Sequence, residues 1–437
     1  MKPILLVVLA LAGLDAQTRF LSYDEARAVL DAYGQDIDSA RWPQWIAGED
    51  LAIRARLEQG EEDTLSNLLR FGVTFTKEYR ITDEYLPKFG HSSLVNGFAE
   101  NRANDLMGAL GSPDSGAGIR EMRAFLEAKG YNLRTPADRV RLKQYLLKNL
   151  ARLRDDFLKA QSEAAKSNRS HAFEARGISL DTNLWPDYDL DVQLNKMLAS
   201  GLLQPGSVRR VAIVGPGLDF VNKFEGLDFY PPQTIQPFAI MDSLVRLGLS
   251  DAATIEVYTL DISTRVNLHL ARARQRAADG QPYVLQLPWF SAGRWTDEVR
   301  RDFTVYWRRL GDRIANPAEP VPVPDGLEGI ETRALKVRPQ AVERIHPLDL
   351  NVVFQRLEPR LSFDLIIGTN IFVYYTEFQQ SLARVNLAAM LAPGGFLVSN
   401  DELADRVPAG LKLESKTEIP LTGEPVITER VFSYRRQ

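Results

Sequence analysis

The spacing of apolar residues along the chain changes near residue 205. Before that point, apolar residues recur every three to four positions, the spacing that lines one face of a helix, with Gly, Pro and Ser separating the stretches. Ser22-Tyr23-Asp24-Glu25 opens the first helix with capping-box chemistry, and that helix runs to Tyr33. Residues 51–57, 64–71, 94–110 and 119–128 carry the same spacing. Thr135-Pro136-Ala137-Asp138 starts a long helix that passes through Leu142, Leu146, Leu150, Leu153 and Phe157 to about Ala165. Its cations Arg139, Arg141, Lys143, Lys148, Arg152 and Arg154 read as a solvated face. Residues 167–179 are polar and irregular, a hinge, and 189–203 predict one more helix.

After Val208 short β-branched runs alternate with helical stretches, which is the pattern of a mainly parallel sheet covered by helices on both faces. Strands are predicted at 211–214, 255–261, 363–370 and 396–399, and helices at 236–247, 265–278 and 377–391. The last of these helices ends at the break Pro393-Gly394-Gly395. Residues 281–329 fit the alternation poorly and are rich in aromatics, including Tyr283, Trp289, Phe290, Trp295, Phe303, Tyr306 and Trp307. They read as an insertion whose aromatics mostly form its own small core. The fold class is therefore an all-α N-terminal domain, 22–203, followed by an α/β domain, 208–437, with an insertion at about 281–329.

Candidate chemistry gathers at the strand ends. Gly215-Pro216-Gly217 follows the first strand, and glycines there let the backbone turn tightly and approach a ligand. In α/β sheets cofactors bind outside the carboxyl end of a strand, where strand order reverses. Asp261 closes the second strand, and a carboxylate at that place accepts hydrogen bonds from both hydroxyls of a ribose. The spacing from Gly217 to Asp261 is roughly twice the ~20 residues of a compact dinucleotide unit. The excess, 221–234, loops out near the cofactor mouth. Asp349 precedes a helical stretch and suits an adenine amino group.

The order of glycine turn, acid-ended strand, Phe363-Asp364-Leu365-Ile366-Ile367, helix and Leu391-Ala392-Pro393-Gly394-Gly395-Phe396-Leu397-Val398 resembles the class I S-adenosylmethionine-dependent methyltransferases. Within them, Asn370-Ile371-Phe372-Val373-Tyr374-Tyr375 is similar to a segment of the chemotaxis receptor methyltransferases, which also carry a helical N-terminal domain. The likeness covers about 208–400. It implies a Rossmann-like sheet of seven strands with the last ones antiparallel, and 411–418 and 427–434 suit such a hairpin. It also implies S-adenosyl-L-methionine as cofactor, held by Gly215, Gly217, Asp219, Asp261, Asp349 and Asn370, with Tyr374 and Tyr375 on the acceptor side. The reaction would be an in-line displacement. The chain departs from the pattern at Ile213, where the family has an acid, at Asp219, where it has a third glycine, and at Thr369, where the chemotaxis enzymes have an arginine. Asp219, Lys223, Glu225 or Tyr230 in the long loop is expected to hold the methionine end instead.

Composition narrows the rest. The 437 residues are 45% hydrophobic and 25% charged with net charge −4, which gives no electrostatic reason to expect nucleic acid. The absence of cysteine excludes disulfides, thiolate zinc sites and a cysteine nucleophile. His91, His171, His269 and His346 lack ligand spacing, so no metal is expected. Residues 1–16 read as a signal peptide, too short for a membrane span, and no later run approaches ~20 apolar residues. That segment points outside the cytoplasm, whereas S-adenosylmethionine chemistry points inside it. Two rivals remain: an exported scaffold that keeps the fold without activity, and an NAD-dependent oxidoreductase, against which Phe220 stands at the third fingerprint position. The acceptor and the oligomeric state stay open.

Overall fold

Seven runs of mostly apolar residues pair into one sheet: β1 (Arg210–Val214), β2 (Glu256–Asp261), β3 (Ile345–Asp349), β4 (Phe363–Gly368), β5 (Leu391–Ser399), β6 (Leu411–Pro420) and β7 (Thr428–Arg436). Their order is β3-β2-β1-β4-β5-β7-β6. Every neighbouring pair is parallel except that β7 runs antiparallel to both β5 and β6. Strand order therefore reverses between β1 and β4, and the crevice at their carboxyl ends is the expected ligand position. This computed structural model describes residues 17–113, 115–133, 135–164, 173–174, 176–218, 227–290, 295–325, 327–358, 361–422 and 428–437. The signal-like run 1–16 lies outside them.

Eleven helices accompany the strands among the described residues: α1 (Tyr23–Ala32), α2 (Trp42–Phe71), α3 (Ser93–Gly111), α4 (Ala117–Ala128), α5 (Pro136–Ala164), α6 (Trp185–Ala199), α7 (Gln236–Arg246), α8 (Thr264–Ala278), α9 (Asp297–Arg309), α10 (Pro339–Glu343) and α11 (Glu377–Met390). Side chains alternate across β1, so Val211 and Ile213 enter a core shared with α6, α7 and α8. Ala212 and Val214 enter the core on the opposite face, shared with α1, the first half of α2 and α11. A third core joins the second half of α2 to α3, α4 and α5.

The N-terminal half is thus not a separate all-α domain. Leu21, Leu30, Trp42, Ile46 and Ile53 are buried beneath the sheet, and a strand at Thr18–Phe20 pairs antiparallel with Gln355–Leu357. Helix α2, 30 residues long, spans two of the cores. The sequence suggested a break between residues 57 and 64, yet the helix continues through Gly60. The glycine serves close approach instead: a Cβ there would lie 1.8 Å from the carbonyl oxygen of Ile178. Gly177 answers it, since its own Cβ would lie 2.3 Å from the Gly60 nitrogen. Two glycines let the chain near 178 cross directly against the helix.

The inserted region forms a three-stranded antiparallel sheet of Tyr283–Gln286, Ala334–Val337 and Ala315–Ala318. That sheet closes only beyond residue 329, the limit read from the sequence. Phe303 of α9 stacks on Trp185 of α6 with ring centroids 4.0 Å apart, so these aromatics are core. Among the described residues no helix is long and apolar enough to cross a membrane.

Candidate functional site

Strand β1 delivers the chain into the glycine turn at the reversal of strand order. Gly215 and Gly217 have φ of 62° and 74°, a region that side chains with a Cβ avoid. The Gly215 N–H donates to the Leu260 carbonyl at 2.9 Å, which fastens the turn to the end of β2. Room is short as well. A Cβ on Gly215 would lie 2.2 Å from Ile371 Cδ1, and one on Gly217 would lie 2.7 Å from the Leu180 carbonyl oxygen. The Leu218 N–H donates to that same oxygen at 2.7 Å, so the segment 178–182 lies across the turn.

Asp261 sits beside this turn at the end of β2 and is 5% exposed. One carboxylate oxygen accepts from the Ser263 N–H at 2.7 Å. Burial pushes the carboxyl up to about 7, against the pull of the Ser263 and Gly217 amides, and the charge of Asp349 adds to the rise. Asp349 stands directly opposite on β3. It is engaged by Arg54 of α2, whose Nη1 lies 2.7 Å from its carboxylate and whose Nε lies 2.9 Å from Asp50. Asn351 holds the other oxygen of Asp50 at 2.8 Å. Helix α2 therefore covers the acid end of the sheet with a paired network, and Asp349 faces an arginine. Between the turn and Asp261 lies a cavity of about 30 Å³ walled by Ile178, Leu180, Ile262, Leu350, Val352 and Tyr375.

A larger cavity of about 450 Å³ opens on the other side of the turn. Thr369, Asn370 and Tyr374 line it from the sheet edge, and α2, α5 and 176–183 line it from the helical half. Asn370 has φ of 57°, the one non-glycine residue in that region among those described. Its N–H donates to Asn400 Oδ1 and its Oδ1 accepts from Asn400 Nδ2, both at 2.8 Å, which ties the ends of β4 and β5 together. Thr369 is buried and accepts from Gln236 Nε2 at 2.9 Å.

The two tyrosines expected on the acceptor side separate. Tyr374 lines the larger cavity, whereas Tyr375 is buried in the smaller one, where burial raises its phenol above the ordinary value. Ile213 is fully buried among apolar residues, so nothing polar replaces the missing acid at that position. Tyr230 is also buried. Asp219, Lys223 and Glu225 lie outside the described residues. His269 bonds Tyr283 Oη at 2.7 Å and His346 pairs with Glu256. Among the described residues no group of three His, Cys, Asp or Glu is placed to hold a metal.

Several lining residues were not singled out from the sequence: Asp63, Asn67 and Arg70 on α2, and Arg176 and Asp181 on the crossing segment. Asp63 pairs with Arg152 at 2.5 Å, and Arg70 pairs with Asp83 at 2.6 Å. Asp181 accepts from Thr64 Oγ1 at 3.0 Å and from Asn67 Nδ2 at 3.3 Å. A signal was present: steps of four and three residues put Asp63, Asn67 and Arg70 on one face of a helix. Arg152, read as part of a solvated face, turns inward to Asp63.

No protein-family profile matches the chain, and no curated protein does. Solved structures that are similar to it include TrmN from Thermus thermophilus, 14% identical over 58% of this chain and 52% of that one, with a TM-score of 0.27. The chain thus spans about half the length of that protein. The N-methyltransferase NodS from Bradyrhizobium japonicum WM9, in complex with S-adenosyl-L-homocysteine, is 14% identical over 64% of this chain and 98% of that one, with a TM-score of 0.29. Magnesium protoporphyrin IX methyltransferase from Synechocystis PCC 6803, with bound SAM, is 12% identical over 57% and 79%, with a TM-score of 0.28. Likeness at this level says nothing about reaction or acceptor.

Proposed function

We propose that the chain is an S-adenosyl-L-methionine-dependent methyltransferase. The observation that carries this reading is Asp261: a buried carboxyl at the end of β2, beside a glycine turn at the reversal of strand order, in an apolar compartment. Vicinal ribose hydroxyls are the partners such a carboxylate suits, and the walls formed by Ile262, Leu350 and Val352 suit the faces of an adenine. The turn at 215–217 and Asn370 would receive the amino-acid end, facing the larger cavity.

When bound, the cofactor supplies an already activated methyl group. The chain's own residues are then left with positioning and with excluding water. Asp261 fixes the nucleoside end, and Asn370, held by Asn400, fixes the edge of the crevice where the two cavities meet. Thr369 is occupied by Gln236 and carries no arginine chemistry, so the reading does not extend to glutamate methylation of receptors. The smaller cavity, about 30 Å³, is well below the ~300 Å³ of ordinary ligand sites, so entry of a nucleoside requires its walls to part.

The test is calorimetric titration with S-adenosylmethionine, with NADH as the control for the oxidoreductase reading. Asp261→Ala is expected to weaken adenosyl binding about 100-fold while the fold survives, as a lost pair of hydrogen bonds to a charged group implies. Unchanged affinity would remove Asp261 from the site.

A further inference from the structure

The far wall of the larger cavity carries two guanidinium groups. Arg70, from the last turn of α2, is 5% exposed and is placed by Ile81 O at 2.9 Å and Asp83 at 2.6 Å. Arg176, from the crossing segment, stands near enough to repel its charge. The Arg176 guanidinium makes no hydrogen bond among the described residues; its carboxylate neighbour is Asp63 at 3.8 Å, and Asp63 is already paired with Arg152 at 2.5 Å. Asp83 is 69% exposed in its side chain, so solvent weakens its hold on the charge of Arg70. Two guanidinium groups therefore share the cavity with three carboxylates, Asp63, Asp83 and Asp181, and Arg176, set over the Phe173 ring at 5.2 Å, keeps N–H donors that make no hydrogen bond among the described residues. The planar fork of donors that Arg176 presents to the cavity is the shape an oxyanion accepts.

We propose that Arg70 and Arg176 bind the carboxylate or phosphate group of the methyl acceptor, which is thus an anionic small molecule enclosed between the helical half and the sheet edge. The assignment of this anion to the acceptor rests on the methyltransferase reading; the anion site itself does not. Its place in the molecule favours the acceptor. The proposed cofactor contacts, Gly215, Gly217 and Asn370, lie on the sheet side, whereas Arg70, Asp83, Leu86 and Phe157 belong to the helical side of the same cavity. A volume of about 450 Å³ falls within the range of small-molecule sites. The aromatic rings of Phe71 and Tyr374 provide apolar wall between the two ends.

The full-length chain is titrated calorimetrically with inorganic phosphate and, separately, with acetate, each with and without saturating S-adenosylhomocysteine. Phosphate or acetate is expected to bind the natural chain, and whichever binds more tightly identifies the oxyanion class. Arg176→Gln is expected to weaken that binding about tenfold or more, Arg176→Lys by less, and neither to change S-adenosylhomocysteine affinity by more than about twofold. Melting curves of both variants report the fold, and the partly exposed position of Arg176 makes it a safer choice than Arg70. The proposal is overturned if neither anion binds the natural chain or if Arg176→Gln leaves anion affinity unchanged. Equal losses of anion and S-adenosylhomocysteine binding would also overturn it, by assigning Arg176 to the cofactor's own carboxylate. Arg176-dependent phosphate binding in a chain that ignores S-adenosylhomocysteine would refute the acceptor assignment and the methyltransferase reading together, leaving an anion site.

Discussion

Two cavities flank the glycine turn and share Ser179, Leu180 and Ile371, but the rest of their walls come from different parts of the chain. The small one, about 30 Å³, takes its walls largely from the ends of β1 and β2 and from the segment after β3, and it contains one acid in apolar surroundings. The large one, about 450 Å³, draws Asp63, Asn67 and Arg70 from α2, Phe157 from α5 and Arg176 and Asp181 from the segment that crosses α2 at Gly60. The first is the kind of space that any sheet of this topology offers at its reversal point. The second exists only because the helical half is laid against that edge. Function resides in the site added to the fold, more than in the fold.

The sharpest way to break this comparison is at the turn shared by both cavities. Gly217→Val would place a β-branched side chain at φ of 74° and against the Leu180 carbonyl. It is expected to abolish adenosyl binding, with more than about 100-fold loss, and to lower the melting temperature through a cost of about 1–3 kcal/mol from backbone strain alone. Gly97→Ala, in α3, meets no atom within 4 Å and is the control. It should leave binding intact and stabilise the chain by up to ~1 kcal/mol. Equal behaviour of the two variants would mean that the turn is an ordinary strand ending.

Next comes the acid itself. Its carboxyl, pushed up to about 7 by burial, is mostly protonated at pH 6 and mostly ionised at pH 8. If the ionised form receives the ribose hydroxyls, affinity for S-adenosylhomocysteine rises between those pH values, by several-fold, and Asp261→Asn flattens the rise. A pH-independent affinity in the natural chain would show that binding does not depend on the charge of Asp261.

These two regions were unequally legible in the sequence. Strand ends carry their chemistry in short contiguous words, so Val214-Gly215 and Leu260-Asp261 could be read directly. The large cavity has no such word. Its residues come from positions 63 to 374, and Arg176 sits in a stretch that composition marks only as polar and irregular. Gly60 misled for a related reason: glycine weakens a helix by propensity, but here tertiary contact with Ile178 requires it and the helix runs on. Long-range pairings such as Arg54 with Asp349 and Arg152 with Asp63 leave no local trace either.

A smaller effect concerns stability alone. Asp187 and Asp189 of α6 are buried, and both oxygens of Asp187 lack a hydrogen-bond partner among the described residues; Gln236 beside it turns its Nε2 to Thr369. Burial pushes both carboxyls up to about 8, from 3.8. Between pH 4 and 8 the folded chain therefore keeps protons that the unfolded chain releases, so stability falls as pH rises through that window. The slope is at most about 1.4 kcal/mol per pH unit for each group. Asp187→Asn should raise the melting temperature at pH 8 more than at pH 5, and the opposite order would show that the carboxylate is stabilised by a partner.

The smallest expected change is at Arg54. Its pairing with Asp349, a carboxylate 52% exposed in its side chain, is of the kind that contributes little. Arg54→Met should weaken S-adenosylhomocysteine binding by less than about fivefold. A much larger loss, seen by the same titration, would place Asp349 in direct contact with the ligand.

The central claim is tested most directly by titrating the full-length chain with S-adenosylhomocysteine in a calorimeter, with NADH alongside. The account predicts saturable binding near micromolar, about −8 kcal/mol, and none for NADH. Absence of binding to S-adenosylhomocysteine by a folded chain would contradict it.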